Sequence, residues 1–310
     1  MSEKLHQASI SVAIVSKGRP QILAETLESI SHQNLKPRQI VIVVPSAEDL
    51  PQGAWSEGDN VQTVVGPLGA SVQRNKAIAA IPLTVDYIAF FDDDVELRPD
   101  FLECAVAFLD ANAAIVGFSG HVLANGGVTR EQARNLIAGY KQERHFRGLF
   151  RSEGKDHILH GCNMVIRRAI LEYENFDEDL PLYSYAEDYD LSMRLKQYGL
   201  IGRFAGCIGV HLETPGGRVR EDQRGYSLVA NNFHILRKGT AHLPLPLAWI
   251  RFWIICVGRP LLNSLWNIVK RDQSKDWSSR VKGILLALKD IFLGRCRPDR
   301  IKEIQNSYQK

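Results

Sequence analysis

The chain has 310 residues, of which 45% are apolar and 24% charged, and a formal net charge of +3. This length and apolar share suit one large or two modest globular domains with a buried core and exclude a disordered chain. The small net charge excludes a wholesale nucleic-acid binder and leaves electrostatic roles to local patches. Five widely spaced cysteines (Cys104, Cys162, Cys207, Cys256 and Cys296) form no zinc-type cluster, and the opening MSEKLHQASISVAIV lacks a long apolar run behind a basic start. Both features lead to the expectation of a reducing, cytoplasmic setting.

In chain order, Ile10 to Val15 reads as a β-branched strand that ends in Ser16-Lys17-Gly18-Arg19-Pro20, and Ile22, Leu23, Leu27 and Ile30 mark a helix after it. Ile40 to Val44 is a fully apolar strand closed by Pro45-Ser46, and Val61 to Val65 is another. A helix over Ala70 to Ala80 precedes the strand Tyr87 to Phe91, which feeds Asp92-Asp93-Asp94. Continuous apolar strands separated by helices predict an α/β fold with a mostly parallel central sheet covered on both faces. Ligands gather at the carboxyl ends of such strands, where Ser16 to Arg19, Pro45-Ser46 and Asp92 to Asp94 all fall. Beyond these, Phe101 to Leu109 reads as helix, Ala114 to Val122 and Ile158 to Ile166 as strands, Ala186 to Tyr198 as helix, and Ile208 to Leu212 as a last short strand. Asn125 to Asp156 is polar, with seven Lys or Arg against four acids and a Gly126-Gly127 pair, a composition that suits a mobile or substrate-facing excursion.

The character changes near residue 240, which gives expected boundaries of 8–240 for a main domain and 241–310 for a helical C-terminal extension. Leu243 to Leu262 is apolar and Trp-rich, but Arg251 and Arg259 interrupt it, whereas a clean transmembrane helix needs roughly 20 apolar residues. Peripheral membrane contact through in-plane helices over 243–297 and a helical cap packed on the core both fit.

Three readings compete for the triple aspartate. Asp is common at strand ends and helix N-caps, yet nothing in a bland turn needs three adjacent like charges. An EF-hand loop would use Asp92, Asp94, Glu96, Asp100 and Glu103, but Leu97 stands where that loop requires Gly, and a strand precedes it in place of a helix. The third is a divalent cation shared with a phosphate-bearing ligand, since Mg²⁺ or Mn²⁺ takes few protein carboxylates and fills the rest of its shell with phosphate oxygens and water. Strand periodicity puts Asp92 and Asp94 on one side and Asp93 on the other. Two further constellations favour this third reading. Gly69 opens a helix that carries Arg74, Asn75 and Lys76, and Glu187 and Asp188 occupy the first turn of an amphipathic helix with Leu191 and Leu195 on its core face.

In this order the motifs resemble those of inverting family 2 glycosyltransferases with the GT-A fold, over roughly residues 8 to 240. The carriers are Ser16 and Arg19 at the first strand end, Gly69...Arg74-Asn75, Asp92-Asp93-Asp94 followed by Pro99 and Leu102, Gly161-Cys162-Asn163-Met164, and Glu187-Asp188 followed by Asp190-Leu191 and Arg194. The resemblance implies a nucleoside-diphosphate-sugar donor, UDP by family frequency, and a saccharide or lipid-linked saccharide acceptor in polysaccharide or glycolipid assembly, with no nucleic acid. It implies that Ser16, Arg19, Arg74, Asn75, Asp92 and Asp93 bind the donor, that Asp94 and His211 hold Mn²⁺ or Mg²⁺, and that Asp188 is the general base. Gly161, Asn163 and Glu187 fall to the acceptor side. Pro45-Ser46 stands where many relatives carry an acid that reads the nucleobase or ribose, which leaves GDP and dTDP open. A sugar-phosphate nucleotidylyltransferase would open with a GxGTRxxP loop, which Ser16 to Pro20 lacks, and a non-catalytic binding protein would need no second acid pair at 187 and 188.

Overall fold

The computed structural model describes residues 8–52, 60–140, 150–152, 158–216, 219–240 and 243–306. They fall into two compact units. One lies within Met1–Leu68, Val72–Asn175 and Leu195–Gly217, the other within Gly69–Ser71, Phe176–Arg194 and Arg218–Lys310.

The first unit is built on a nine-stranded sheet. Its strands are β1 (Ile10–Val15), β2 (Ile40–Val44), β3 (Val61–Val65), β4 (Tyr87–Asp92), β5 (Val95–Leu97), β6 (Ile115–Asn125), β7 (Phe150–Arg151), β8 (Asn163–Arg167) and β9 (Leu200–His211). Their order is β3-β2-β1-β4-β8-β6-β9-β5, with β7 on β9. β1 to β4 pair in parallel, with β1, β2 and β4 as continuous apolar runs buried on both faces and the more exposed β3 at the edge. β8 enters antiparallel between β4 and β6, and β9 returns parallel to β6. Helices α1 (Pro20–Ser31), α2 (Ala70–Ala80), α3 (Phe101–Asp110) and α4 (Arg130–Gly139) connect the strands. Leu23, Leu27 and Ile30 of α1 and Phe101, Leu102 and Ala105 of α3 close the core over Ile14, Ile42 and Phe91.

Two registers position the site. Val15 lies opposite Asp92, so the turns after β1 and β4 are neighbours. β5 turns back after the aspartates and pairs antiparallel with the end of β9, with Val95 opposite His211. The Leu212 N–H donates to the Asp94 carbonyl at 2.9 Å.

Several elements depart from the expected ones. The strand expected from Ile158 begins only at Asn163, because His160 to Cys162 form a turn closed by the Asn163 N–H on the His160 carbonyl. The short strand at Ile208 is the end of the 12-residue β9. Its earlier half is masked in the sequence by glycines that close contacts require: a Cβ at Gly202 would meet the Arg151 carbonyl at 2.4 Å. The polar excursion holds α4, whose N-cap Thr129 and Gln132 form a capping box. Ala133 and Ile137 pack it on Ile208, Val210 and Leu212. Arg130 and Arg134 are committed to Glu96, Glu25 and Glu28. The rest of the excursion, at 141–149 and 153–157, lies outside the described residues.

The second unit holds α5 (Glu187–Leu195), α6 (Glu221–Lys238), α7 (Leu245–Arg251), α8 (Arg259–Val269), α9 (Trp277–Phe292) and α10 (Ile301–Asn306), with a π-helical stretch, Phe252–Gly258, joining α7 to α8. α6 and α9 cross in backbone contact. A Cβ at Gly225 would meet the Arg280 carbonyl at 2.1 Å, and one at Gly283 the Asp222 carbonyl at 2.0 Å. α6 and residues 176–194 thus group with the C-terminal helices, whereas the sequence reading drew its boundary at 240. The continuous helix Leu245–Val269 is long and apolar enough to cross a bilayer, and 17% of its most apolar window is buried.

Candidate active site

The turn between β4 and β5 presents its carboxylates in two directions. Asp93 is fully buried. Its carboxylate accepts from Ser16 Oγ at 2.5 Å and from Arg19, through Nε at 3.1 Å and through Nη2. The Asp93 carbonyl takes the Thr26 hydroxyl at 2.7 Å, tying the turn to α1. Burial lifts the Asp93 carboxyl to about 6, against the pull of Arg19 and Ser16.

Asp92 and Asp94 turn instead toward His211. His211 Nε2 lies 3.1 Å from Asp94 Oδ1 and 3.7 Å from Asp92 Oδ2, and one ligand atom from each residue lies within 4.8 Å of the others. Asp94 Oδ2 accepts the Thr214 N–H at 2.8 Å and Arg19 Nη1 at 3.3 Å. Its Oδ1 is buried and carries no hydrogen-bond donor. Burial would raise Asp94, but His211, Arg19 and Thr214 together hold it below the usual carboxylate range. Burial would lower His211, and the carboxylates of Asp94 and Asp92 raise it above the ordinary imidazole value. A buried carboxylate oxygen without a donor, a ring nitrogen and a second, more open carboxylate form a set that suits a divalent cation with coordination positions left for a ligand.

A second acidic cluster with a histidine among the described residues, Asp177, Asp179 and His234, is different. Lys238 Nζ sits 2.7 Å from Asp177 and 3.1 Å from Asp190, and His234 3.0 Å from Asp177, so an ammonium already neutralises it.

Arg74, buried on α2, donates to Asp92 at 3.1 Å and points its guanidinium at Gly161. A Cβ at Gly161 would approach Arg74 Nη2 to 2.9 Å, so this glycine lets the guanidinium lie against the backbone. Asn75, the next residue of α2, is half-buried. Asn163 opens β8 and is buried, with its amide against Gly120. Ser16, Arg19, Arg74, Asp92, Asp93, Asp94, Gly161 and His211 therefore form one connected group in the first unit.

Glu187 and Asp188 belong to the second unit, in the first turn of α5. Glu187 is buried and Asp188 half-buried; Asp188 Oδ1 accepts the Tyr189 N–H at 2.8 Å. The approach to this turn is strained: Leu182, Ser184 and Ala186 all have positive φ, at 57°, 52° and 70°. Such φ values cost non-glycine residues energy, and they persist where surrounding contacts fix them. Here the Ala70 N–H bonds the Leu182 carbonyl at 2.8 Å and the Ser71 N–H bonds Ser184 Oγ at 3.1 Å. No residue type in this stretch signals that conformation.

Sequence reasoning missed three contributors. Asp49 accepts the Gly18 N–H at 2.6 Å, placing a carboxylate four residues beyond Pro45 beside the β1 turn. Thr214 clamps Asp94 and, through its carbonyl, Arg19 at 3.0 Å. Asn125 bonds His211. Each is an ordinary polar residue, visible only through strand register.

A model of glycosyl transferase family 2 matches residues 11–173. The amylovoran biosynthesis glycosyltransferase AmsE of Erwinia amylovora is 23% identical over 195 residues, 62% of this chain and 70% of that protein. The glucosyl-dolichyl phosphate glucuronosyltransferase of Haloferax volcanii is 28% identical over 120 residues, and the match spans only 38% of either chain. Among solved structures, the mannosyltransferase PcManGT from Pyrobaculum calidifontis, in complex with GDP-Man and Mn²⁺, superposes with a TM-score of 0.54 at 16% identity, covering 99% of this chain and 89% of that one. That likeness shows the fold, the GT-A arrangement expected above. With a family model matched over more than half of its length, the chain belongs to glycosyl transferase family 2.

Proposed function

We propose that this enzyme moves a sugar from a nucleoside-diphosphate-sugar donor, UDP-linked in the first instance, to a hydroxyl of a saccharide or lipid-linked saccharide with inversion. The setting is polysaccharide or glycolipid assembly at the cytoplasmic face of a membrane. The observation that carries the reading is the convergence of Asp92, Asp94 and His211 around a buried carboxylate oxygen that lacks a donor.

A divalent cation, Mn²⁺ or Mg²⁺, supplies neutralisation of the charge that builds on a departing diphosphate. Asp94 and His211 would hold it. Asp92, the most open of the three acids, meets the nucleotide, and Asp93, fully buried, acts through Arg19: the paired carboxylate fixes the guanidinium that in turn fixes Asp94. Ser16 secures Asp93 from the other side. Arg74 adds positive charge beside Asp92, with Asn75 next to it on the donor side. Asp188 takes the proton from the acceptor hydroxyl as it attacks, a contribution typically worth ~10²- to 10⁴-fold. Glu187, Gly161 and the buried Asn163 shape the acceptor side. A relative named for amylovoran biosynthesis and one named a glucosyl-dolichyl phosphate glucuronosyltransferase support the acceptor class.

Membrane contact is part of this reading. Trp253, Ile254, Leu262, Trp266 and Val269 are exposed on the 245–269 helix. Between 243 and 306 the chain carries twelve Lys and Arg against five acids, so the remainder is net acidic. An exposed apolar face with the exposed cations Arg259, Lys270 and Arg271 on or just after the same helix fits an in-plane helix on an anionic bilayer.

The test is a thermal-shift screen of UDP, GDP and dTDP with and without Mn²⁺. A metal-dependent rise with one of them supports the reading, and no rise with any overturns it.

A further inference from the structure

His211 must present a bare ring nitrogen to bind a cation, and a neutral imidazole has only one. The other carries hydrogen, and its hydrogen-bond partner decides which is which. His211 Nδ1 lies 2.7 Å from Asn125 Oδ1. The amide is oriented from behind, because Asn125 Nδ2 donates to Glu213 Oε1 at 3.3 Å, which leaves Oδ1 to face the ring. An oxygen acceptor at that distance requires the hydrogen on Nδ1. In the neutral ring Nε2 is then bare and faces Asp94 Oδ1 at 3.1 Å, two lone-pair donors side by side with no proton between them. Such a pair is unfavourable alone and favourable around a cation.

The local backbone is built for this contact. Asn125 ends β6 directly opposite His211, after a register shift beyond Val122. Gly126 and Gly127 follow with φ of 78° and 75°, and the Gly126 N–H closes the turn on the His211 carbonyl at 2.8 Å. A Cβ at Gly126 would meet Glu213 Oε2 at 2.9 Å, so glycine there lets Glu213 reach the amide.

We propose that Asn125, oriented by Glu213, selects the His211 tautomer that leaves Nε2 free for the cation, which makes Asn125 a positioning residue for the metal. This rests on the metal reading of Asp94 and His211 given above. Without the amide, imidazole takes its commoner form with hydrogen on Nε2, donates to Asp94 Oδ1, and closes the ligand pair with a proton.

The experiment compares Asn125→Leu, which removes the acceptor, with Asn125→Asp, which keeps it. In metal-free protein above the titration of His211, imidazole ¹⁵N spectra should show Nδ1–H in the native protein and in Asn125→Asp, and Nε2–H in Asn125→Leu. Mn²⁺ titrated calorimetrically in the presence of UDP should bind Asn125→Leu about 10-fold more weakly, the low end of the range for such supporting partners because Asn125 is exposed. Asn125→Asp should bind Mn²⁺ about as tightly as the native protein. An unchanged tautomer in Asn125→Leu, or equal Mn²⁺ affinity in both variants, overturns the proposal. His211→Ala is the control: if it too leaves Mn²⁺ affinity unchanged, the metal reading itself fails.

Discussion

Asp94→Asn separates metal binding from folding more cleanly than any other substitution in the site. The amide is isosteric with the carboxylate. Its oxygen can take the Thr214 N–H now at 2.8 Å, and its NH₂ can donate to His211 Nε2, now 3.1 Å away. Arg19 keeps its bidentate pair with Asp93. The metal-free protein should therefore change by no more than about 1 kcal/mol, the net worth of one ordinary hydrogen bond. With ligand the difference is large. Mn²⁺ and nucleotide at ~100 times Kd stabilise the native protein by about 2.7 kcal/mol. With an unfolding entropy of about 2.1 cal/mol/K per residue, the 310 residues convert this into a rise of about 4 °C. Differential scanning fluorimetry with the nucleotide held constant and Mn²⁺ varied should show that rise in the native protein and none in Asp94→Asn. An equal rise in both would remove Asp94 from the metal site. Loss of more than about 10 °C without ligand would show instead that the charge holds the fold.

Four further outcomes are expected. Asp188→Asn keeps an acceptor for the Tyr189 N–H, so folding and nucleotide affinity should persist while single-turnover transfer falls ~10²- to 10⁴-fold; transfer within tenfold of native would place the base elsewhere. Trp253→Glu and Ile254→Glu, both at exposed positions, should abolish flotation with phosphatidylglycerol vesicles, and undiminished flotation would show that this face does not meet lipid. Ala186→Gly relieves a φ of 70°, which costs an L-residue roughly 1–2 kcal/mol, against about 0.5–1 for the freer unfolded chain; the melting temperature should rise slightly, and a fall would mean the conformation is not strained. Asp177 is held below the usual carboxylate range: burial opposes this, but His234 and Lys238 outweigh it. Its stabilising share is thus present above the unfolded value of about 4 and lost as pH falls below it. Lys238→Met should flatten the acid limb of stability between about pH 4 and 2, and an unchanged acid limb would show that the pair contributes nothing.

The parallel half of the sheet was legible because strands buried on both faces must be apolar throughout. β1, β2 and β4 follow directly from continuous apolar runs and α1 from 3.6-residue periodicity, whereas β3, at the sheet's edge, shows only through its β-branched residues. Alternation along the chain also foretold that Asp92 and Asp94 would share a side, which they do in facing His211. The antiparallel half was obscured for the opposite reason. β9 places glycines at 202, 206 and 209 where neighbouring backbone and rings come too close for a side chain, and glycine reads as a strand breaker. The basic excursion misled because composition cannot tell a cation awaiting phosphate from one already paired. Arg130 and Arg134 were paired all along, to acids on α1 and β5 more than thirty residues away.

The same limit governs the site. A carboxylate-rich turn announces its chemistry by residue type, but the side chains that decide which oxygen stays bare are not chemically unusual. Asp93 and Asp94 have the same formula and adjacent places, yet one is saturated by Ser16 and Arg19 and the other is left with a buried oxygen that no donor reaches. What separates them is the return of β5 against β9, which delivers His211 and Thr214 to Asp94 and nothing further to Asp93. The triad of Glu213, Asn125 and His211 arises likewise, from a register in which residues 86 apart in sequence stand opposite each other. Selectivity for a cation over a proton at this site is thus a property of the sheet's pairing. A substitution that slipped the β6–β9 register by one residue would cost metal binding while leaving every aspartate in place.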